Sequence, residues 1–578
     1  MKTVLTILFI NCFALSMFSQ TYIDNITIVD VQNNKLIPNQ TVVLEDDIIA
    51  DIQSKGSLKI PFGGTVVDGT GKYLIPGFTD SHVHFFQSGG LYTRPDVLDF
   101  RNIHSYEKET DWVKENMEDF LLRYMQMGIT SVVDVGATYN FLKMRDTFTS
   151  KNIFPNIHMT GPLLTPYVPE AYKNLGNDMP FKLVQSIEDA IKMVREQLPF
   201  RPDFIKIWYL VDPDNVEDSA RNYQPIVKAI IEEAHRNNLK VAVHAIERIV
   251  AQLAVESGAD YLVHGVEDEV ASDEFINLLK AKDIILSPTL VVVEGYNDTF
   301  LRANNFSYHD LTNSNPTAIG SLSDLKHIKD TIYVNEIKQW VNTPSSIARE
   351  ARFDSLRTIN LKRMSDAGVD IVAGTDAGNL GTQHASSFLN ELKAMKKSGL
   401  TNWQILKSAT INSAKLFDNQ NSLGSVSIGK KADLVLLNGN PIENLEHLNN
   451  ISSVVHNGTF IDPKILIKET PLNLVKRQLN AYNARNLEAF LEPYANDVEL
   501  YIFPDKLVSK GKEKMRKDYL DDFKNQSVHC EVKERIVQGN VIIDKESVFG
   551  VEDKTLESTA IYHIENDRIK KVYFILND

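Results

Sequence analysis

The stretch Pro76-Gly77-Phe78-Thr79-Asp80-Ser81-His82-Val83-His84 constrains this chain more than any other. The apolar run Tyr73-Leu74-Ile75 leads into it and predicts a short buried strand. Side chains two apart in a strand point to the same face. His82 and His84 can therefore present two imidazoles to one point in space. Imidazole is the commonest protein ligand for a borderline metal such as zinc. A lone His-x-His is equally well explained as two surface histidines near a turn, so the decision rests on residues further along.

The chain has 578 residues, too many for one ordinary core, and predicts two or three domains. A net charge of -15 argues against a nucleic-acid partner, which would need a basic face to meet phosphates. Residues Met1 to Gln20 read as a secretory signal peptide: Lys2 gives a positive start, Val4 to Phe18 is mostly apolar, and Ser16, Ser19 and Gln20 follow. The run is short for a bilayer span, and no later segment is apolar enough for one. The expectation is an exported protein, periplasmic or secreted, with no membrane attachment after cleavage. Cys530 is then the only cysteine, so no internal disulfide forms.

Residues 21–75 read as short strands separated by turns such as Asn33-Asn34 and Glu45-Asp46-Asp47. A matching set lies at 421–468, with Leu434-Val435-Leu436-Leu437 and Ile451 to His456. Neither flank can bury a core alone, so the two predict one small β-sandwich domain around a large insertion. The insertion, residues 76–420, alternates strands and helices. Its strands are expected at the His82/His84 stretch, Thr130 to Val135, Ile157 to Thr160, Phe204 to Tyr209, Val241 to His244, Tyr261 to His264, Ile284 to Ser287 and Ile371 to Asp376. Eight strands alternating with helices predict an α/β (β/α)8 TIM barrel. The long connection from Val291 to Pro344 reads as a cover over the open end. Residues 471–578 form a separate α+β pattern, a helix from Leu472 to Phe490 followed by strand-like runs.

Active sites of parallel barrels lie at the carboxyl ends of the strands. Here those ends carry His82 and His84, Lys206, His244, His264 and Asp376. Each alone has a dull explanation: a satisfied polar group, a turn-forming aspartate, a surface lysine. Agreement of five strand ends with one metal cup by chance is improbable. A protonated Lys206 would repel a cation. Burial can leave its amine neutral, and such an amine can take up carbon dioxide as a carbamate with two oxygens suited to bridging two ions.

Residues 22–468 resemble the amidohydrolase superfamily, in its imidazolonepropionase-like and prolidase-like branch. The resemblance rests on Pro76 to His84, Gly128 to Asp134, Phe204-Ile205-Lys206-Ile207, Val243-His244-Ala245, Val263-His264-Gly265, Gly374-Thr375-Asp376-Ala377-Gly378 and Gly429 to Val435. It implies a hydrolase with two divalent metal ions, zinc being the expected one. His82, His84 and Asp376 would hold one ion, His244 and His264 the second, and N6-carboxylated Lys206 would bridge them. Asp376 would also move the proton. Tyr209 is a candidate for oxyanion or substrate contact, and His384, in the loop after Asp376, for substrate contact. Related dipeptidase-like members show a Gly-Gly-His run after the third strand, whereas this chain reads Gly161-Pro162-Leu163-Leu164-Thr165-Pro166-Tyr167, with no histidine.

The tail, residues 471–578, resembles the nuclear transport factor 2-like group with its cone-shaped SnoaL-like members. This rests on Ala481 to Phe490 and Tyr494 to Val498. No catalytic acid can be placed in it, and a docking or dimerisation module is the preferred reading, which makes a homo-oligomer one expectation. The favoured function is hydrolysis of a C–N bond in a small molecule, an amide, peptide-like or cyclic amide. An esterase or lactonase would use the same metals, and a non-catalytic small-ligand-binding protein is the third reading.

Overall fold

A computed structural model describes residues 20–62, 64–328, 332–551 and 554–576. The expected signal peptide, apart from Gln20, lies outside the described residues. Among the described residues no helix is long and apolar enough to cross a membrane.

The two flanks meet in one eight-stranded sheet. Thr21–Asp30, Lys35–Glu45, Ile48–Ser54, Thr65–Asp68 and Tyr73–Pro76 supply one part, and Leu434–Leu437, Ile451–His456 and Thr459–Ile461 the other. Leu434–Leu437 runs antiparallel to Tyr73–Pro76 and joins the two parts. Hydrogen bonding is continuous through the sheet, and side chains from both parts, among them Ile23, Val42, Leu74, Leu434 and Val455, pack into one apolar cluster. The run Tyr73-Leu74-Ile75 is a short buried strand of this sheet, separate from the strand that carries His82. The break falls at Gly77: its N–H still bonds Asp433 O, while the next N–H, of Phe78, bonds Gly128 O.

Between the flanks lie two parallel sheets. Phe78–Val83, Ile129–Asp134 and Asn156–Met159 form a three-stranded one. Leu163–Thr165, Phe181–Leu183, Phe204–Trp208, Lys240–His244, Tyr261–Val263, Ile285–Ser287 and Asp370–Ile371 form a seven-stranded one. Ser81 N bonds Ala373 O and His84 N bonds Ala377 O on one side, and Asp203 N bonds Met159 O on the other, so the two sheets are linked at both edges. Their strands are buried almost throughout, as parallel strands covered by helices are. Helices such as Tyr106–Gln126, Val216–Arg236 and Pro344–Ala367 intervene.

Two short strands, Leu163–Thr165 and Phe181–Leu183, are additions to the expected set, too brief to show a period. The last parallel strand is only Asp370–Ile371: Val372 N still bonds Leu286 O, but Ala373 N turns to Ser408 O, outside the sheet. The tail carries a six-stranded sheet faced by Pro471–Asn483, Leu487–Leu491 and Lys512–Tyr519. Its first expected helix is split, since Arg485 adopts a left-handed φ of 54° between the two pieces. The connection after Ile285–Ser287 folds into short helices: Val292–Leu301 lies against the parallel strands' mouth, while Leu311 and Ile319 enter the tail's apolar core.

Candidate active site

One cavity of about 280 Å³ opens at the carboxyl ends of the parallel strands. His82, His84, Lys206, His244, His264 and Asp376 all line it. His82 is held at the end of Phe78–Val83, with His84 just beyond. Their spacing does place both rings at one point: the Nε2 atoms lie 3.3 Å apart. Asp376 Oδ1 is 3.2 Å from His82 Nε2 and 3.1 Å from His84 Nε2. His264 completes the group, its ring 5.1 Å from that of His82 and 4.6 Å from that of His244.

Hydrogen bonds behind the rings fix which nitrogen faces the cavity. Gly136 O can only accept, so His84 Nδ1, 3.0 Å away, carries a proton, and Nε2 is the nitrogen turned towards Asp376. His264 Nδ1 is likewise engaged, 2.6 Å from Thr289 Oγ1. Such outer partners are how metal-binding imidazoles are commonly oriented. The donor set passes the test for a cation. His82 Nε2 and His84 Nε2 both face Asp376 Oδ1, at 3.2 and 3.1 Å, a nitrogen and oxygen donor set of the kind zinc takes. Ligand atoms of His82, His264 and Asp376 lie within 4.8 Å of one another, close enough to share an ion.

The electrostatics agree. Burial pushes His82 down to about 4 and, with Lys206 adding to it, His244 down to about 3, so both rings are neutral at ordinary pH. His264 is lowered by burial and by His244. Burial acts to raise Asp376, but the neighbouring imidazoles outweigh it and hold the carboxyl well below its usual range. Burial brings Lys206 down to about 7, against the pull of Asp376. Among the described residues no hydrogen bond or ion pair engages the Lys206 amine.

The backbone is strained at two residues of the cluster. His264 and Asp376 have φ of 75° and 60°, a region that non-glycine residues seldom occupy. His264 N donates to Ser287 O at 2.8 Å and Asp376 N to His82 O at 2.7 Å, and these bonds hold the two residues in place. Close packing also requires Gly136, where a Cβ would sit 2.9 Å from His84 Cε1.

Two expectations are corrected. Tyr209 does not face the cavity: its hydroxyl donates to Ala220 O at 2.5 Å and its ring packs near Tyr223. Side chains alternate along a strand, so the face that carries Lys206 carries Trp208, and Tyr209 points into the helix layer. His384 is no substrate contact either. Its Nε2 donates to Gln87 O at 2.9 Å, its Nδ1 lies 3.1 Å from the Tyr124 hydroxyl, and it stacks on Phe85. Burial pushes it down to about 4, as suits a neutral, fully engaged core ring.

Residues 73–462 match the amidohydrolase family. The chain belongs to that family. Ochratoxinase from Aspergillus niger is 24% identical over 442 residues, covering 72% of this chain and 81% of that protein. An imidazolonepropionase from Brevibacillus brevis is 21% identical over 470 residues, covering 75% of this chain and 93% of its own. A solved prolidase complexed with N-methylphosphonate-L-proline superposes with a TM-score of 0.57 at 22% identity, covering 77% of this chain and 99% of that one, a likeness of fold.

This amidohydrolase also uses residues that sequence reasoning missed. Asn379 Nδ2 donates to Asp376 Oδ1 at 2.6 Å. Asn379 Oδ1 accepts from Tyr296 at 2.8 Å and from Arg94 Nη1. Arg94 in turn forks onto Asp96 at 2.8 and 2.7 Å. Position three after Asp376 was the one local hint; Arg94 and Tyr296 gave none. Phe181 and Trp208 stack at 4.9 Å on the apolar wall, and Trp208 could have been found from strand parity.

Proposed function

We propose that this amidohydrolase cleaves a C–N bond, an amide or cyclic amide, in a small and predominantly uncharged substrate. Convergence of four imidazoles and one carboxylate on a buried amine in a single cavity carries the reading. His82, His84 and Asp376 would hold one divalent ion and His244 and His264 a second, with zinc expected and Lys206 carboxylated as the bridge. When bound, such ions supply a hydrolytic nucleophile near neutral pH and a Lewis acid for the scissile carbonyl.

The chain's own residues do the rest. Asn379 and the imidazoles engage Asp376 Oδ1, while among the described residues no hydrogen bond occupies Oδ2. That oxygen can take a proton from the attacking water and deliver it to the departing nitrogen. Phe86, Leu163, Phe181, Trp208, Val292 and Val293 exclude water and strengthen every charge interaction inside. Both arginines at the cavity are already paired, Arg94 with Asp96 and Arg357 with Glu267 at 2.7 Å. Neither is a spare cation for a substrate carboxylate, and the third-strand histidine of dipeptidase-like members is missing. A neutral amide therefore suits the cavity better than a free dipeptide.

The same reading closes the two parallel sheets into a (β/α)8 barrel over residues 76–420, with flanks 21–75 and 421–468 as one domain. It takes residues 1–20 as an export signal and 471–578 as a nuclear transport factor 2-like fold. The test is metal analysis of the purified chain, followed by benzoate release from N-benzoylglycinamide and from N-benzoylglycine. The expected result is bound transition metal and turnover of the neutral amide at least tenfold above the acid. A metal-loaded protein that releases benzoate from neither, and hydrolyses no member of a wider amide and lactam panel, overturns the assignment. Preference for the corresponding ester over the amide would favour the esterase reading.

A further inference from the structure

The tail encloses a cavity of its own, about 580 Å³, between the helix Pro471–Asn483 and the sheet. That size is in the range of small-molecule sites, roughly 300–1,000 Å³. Its lining is unusual in two ways. Aromatic rings dominate: Phe490, Tyr494, Tyr519 and Tyr562 line it, with Phe490 5.4 Å from Tyr494 and 5.1 Å from Tyr519 between ring centres. No lysine, arginine or histidine lines it among the described residues, while Glu546 and Asp522 do.

Glu546 is the deciding residue. It is only 6% exposed, and its Oε1 accepts from the Tyr562 hydroxyl at 3.1 Å. Gln478 Nε2 donates to that same hydroxyl at 3.1 Å, and Tyr494 donates to Gln478 Oε1 at 3.2 Å. The chain of hydrogen bonds thus orients the carboxyl without neutralising it. The nearest cation, Arg535, forks onto Asp544, which is fully buried two residues earlier in the same strand. Arg535 and Asp544 cancel, and Glu546 has no ion pair among the described residues. Burial and Asp544 together push its carboxyl up to about 7, as expected of an acid that lacks its cation. At the mouth, Asp521 is paired with Lys524 at 2.6 Å, whereas Asp522 has no ion pair among the described residues.

Ring faces carry negative potential and attract cations, most strongly away from water. A buried acid without a cation at the end of an aromatic box calls for a positively charged guest with an apolar body. We propose that the tail cavity binds an organic ammonium ion, its charged nitrogen near Glu546 and its hydrocarbon part among Phe490, Tyr494 and Tyr519. The site is separate from the histidine cluster and needs no metal.

Calorimetric titration of the full-length protein tests this, with benzylammonium, benzyl alcohol and benzoate as probes that share a phenyl ring, are close in size and differ in charge. The cation should bind one per chain and at least tenfold tighter than the alcohol, with benzoate weakest. Glu546→Gln, which keeps an acceptor for Tyr562, should weaken the cation tenfold or more and leave the alcohol unchanged. Asp376→Asn should leave cation binding as it was, which places the guest outside the histidine cavity. Equal or tighter binding of the alcohol, or a cation affinity insensitive to Glu546→Gln, overturns the proposal. If Glu546→Gln fails to fold, the cation-to-alcohol ratio of the unaltered protein decides alone.

Discussion

Lys206 brings an amine into a place where a cation is costly. Unfolded, it titrates near 10.5; folded, burial brings it to about 7. Below the folded value it is protonated in both states, and the folded state bears the full desolvation cost. Between the two values the unfolded chain keeps a proton that the folded one has released, so stability rises with pH. Lys206→Met should therefore raise the thermal midpoint of the metal-free protein at about pH 6, and raise it less at about pH 9. The same change should abolish hydrolysis. A midpoint that falls at the lower pH would show that the amine is not held uncompensated. Asn379 acts on Asp376 through a hydrogen bond to a charged group. Asn379→Ala should lower kcat/KM by about ten- to a hundredfold, an effect of the size found for outer partners of metal ligands, while circular dichroism stays unchanged. At this scale the convergence of the six residues on one cavity was legible because a parallel sheet delivers strand ends to one rim. Tyr209 was misread through neglect of strand parity, and His384 because no local pattern announces burial between Phe85 and Tyr124.

Elements position these residues, and two of them invite tests. Gly136 allows His84 to lie against the second strand's exit, and the Cβ of an alanine would collide with the ring. Gly136→Ala should weaken metal retention about tenfold or more, read by competition with a chelator, with little change in helix content. The helix Pro344–Ala367 clamps the loop that follows His264. Its Asn360, 1% exposed, donates to Val266 O at 2.8 Å and Glu269 O at 2.9 Å and accepts from Ala271 N at 2.8 Å. Asn360→Ala leaves two buried groups, Val266 O and Ala271 N, unpaired and should cost about 2–3 kcal/mol in chemical denaturation. Strand positions could be read from apolar runs that parallel sheets demand. The strand pair Leu163–Thr165 and Phe181–Leu183 could not, since three residues carry no period. The split at Arg485 had one local signal, Asn486, which caps the second piece by accepting from Ala489 N at 3.2 Å.

At the scale of the whole molecule, one connection serves two masters. Val292, Val293 and Tyr296 line the histidine cavity, and Leu311 and Ile319, further along the same segment, are buried in the tail's core. Lys476 Nζ donates to Thr317 Oγ1 at 2.8 Å and Asn480 Nδ2 to Pro316 O at 2.7 Å across the same contact. Ile319→Ala should destabilise by about 2–5 kcal/mol. Hydrogen exchange should then quicken in Val292–Leu301 as well as in the tail, and quickening confined to the tail would show the two ends to be independent. Sequence patterning signalled a cover over the mouth but not its second attachment, because a contact between residues so far apart leaves no periodic trace.

That shared segment has a practical corollary for anyone recombining this protein. The last hundred or so residues cannot be treated as a cassette: a foreign replacement lacking a socket for Leu311 and Ile319 would leave greasy side chains bare on the segment that also walls the histidine cavity. Chimeras should accordingly succeed only when the donor contributes both halves of the junction.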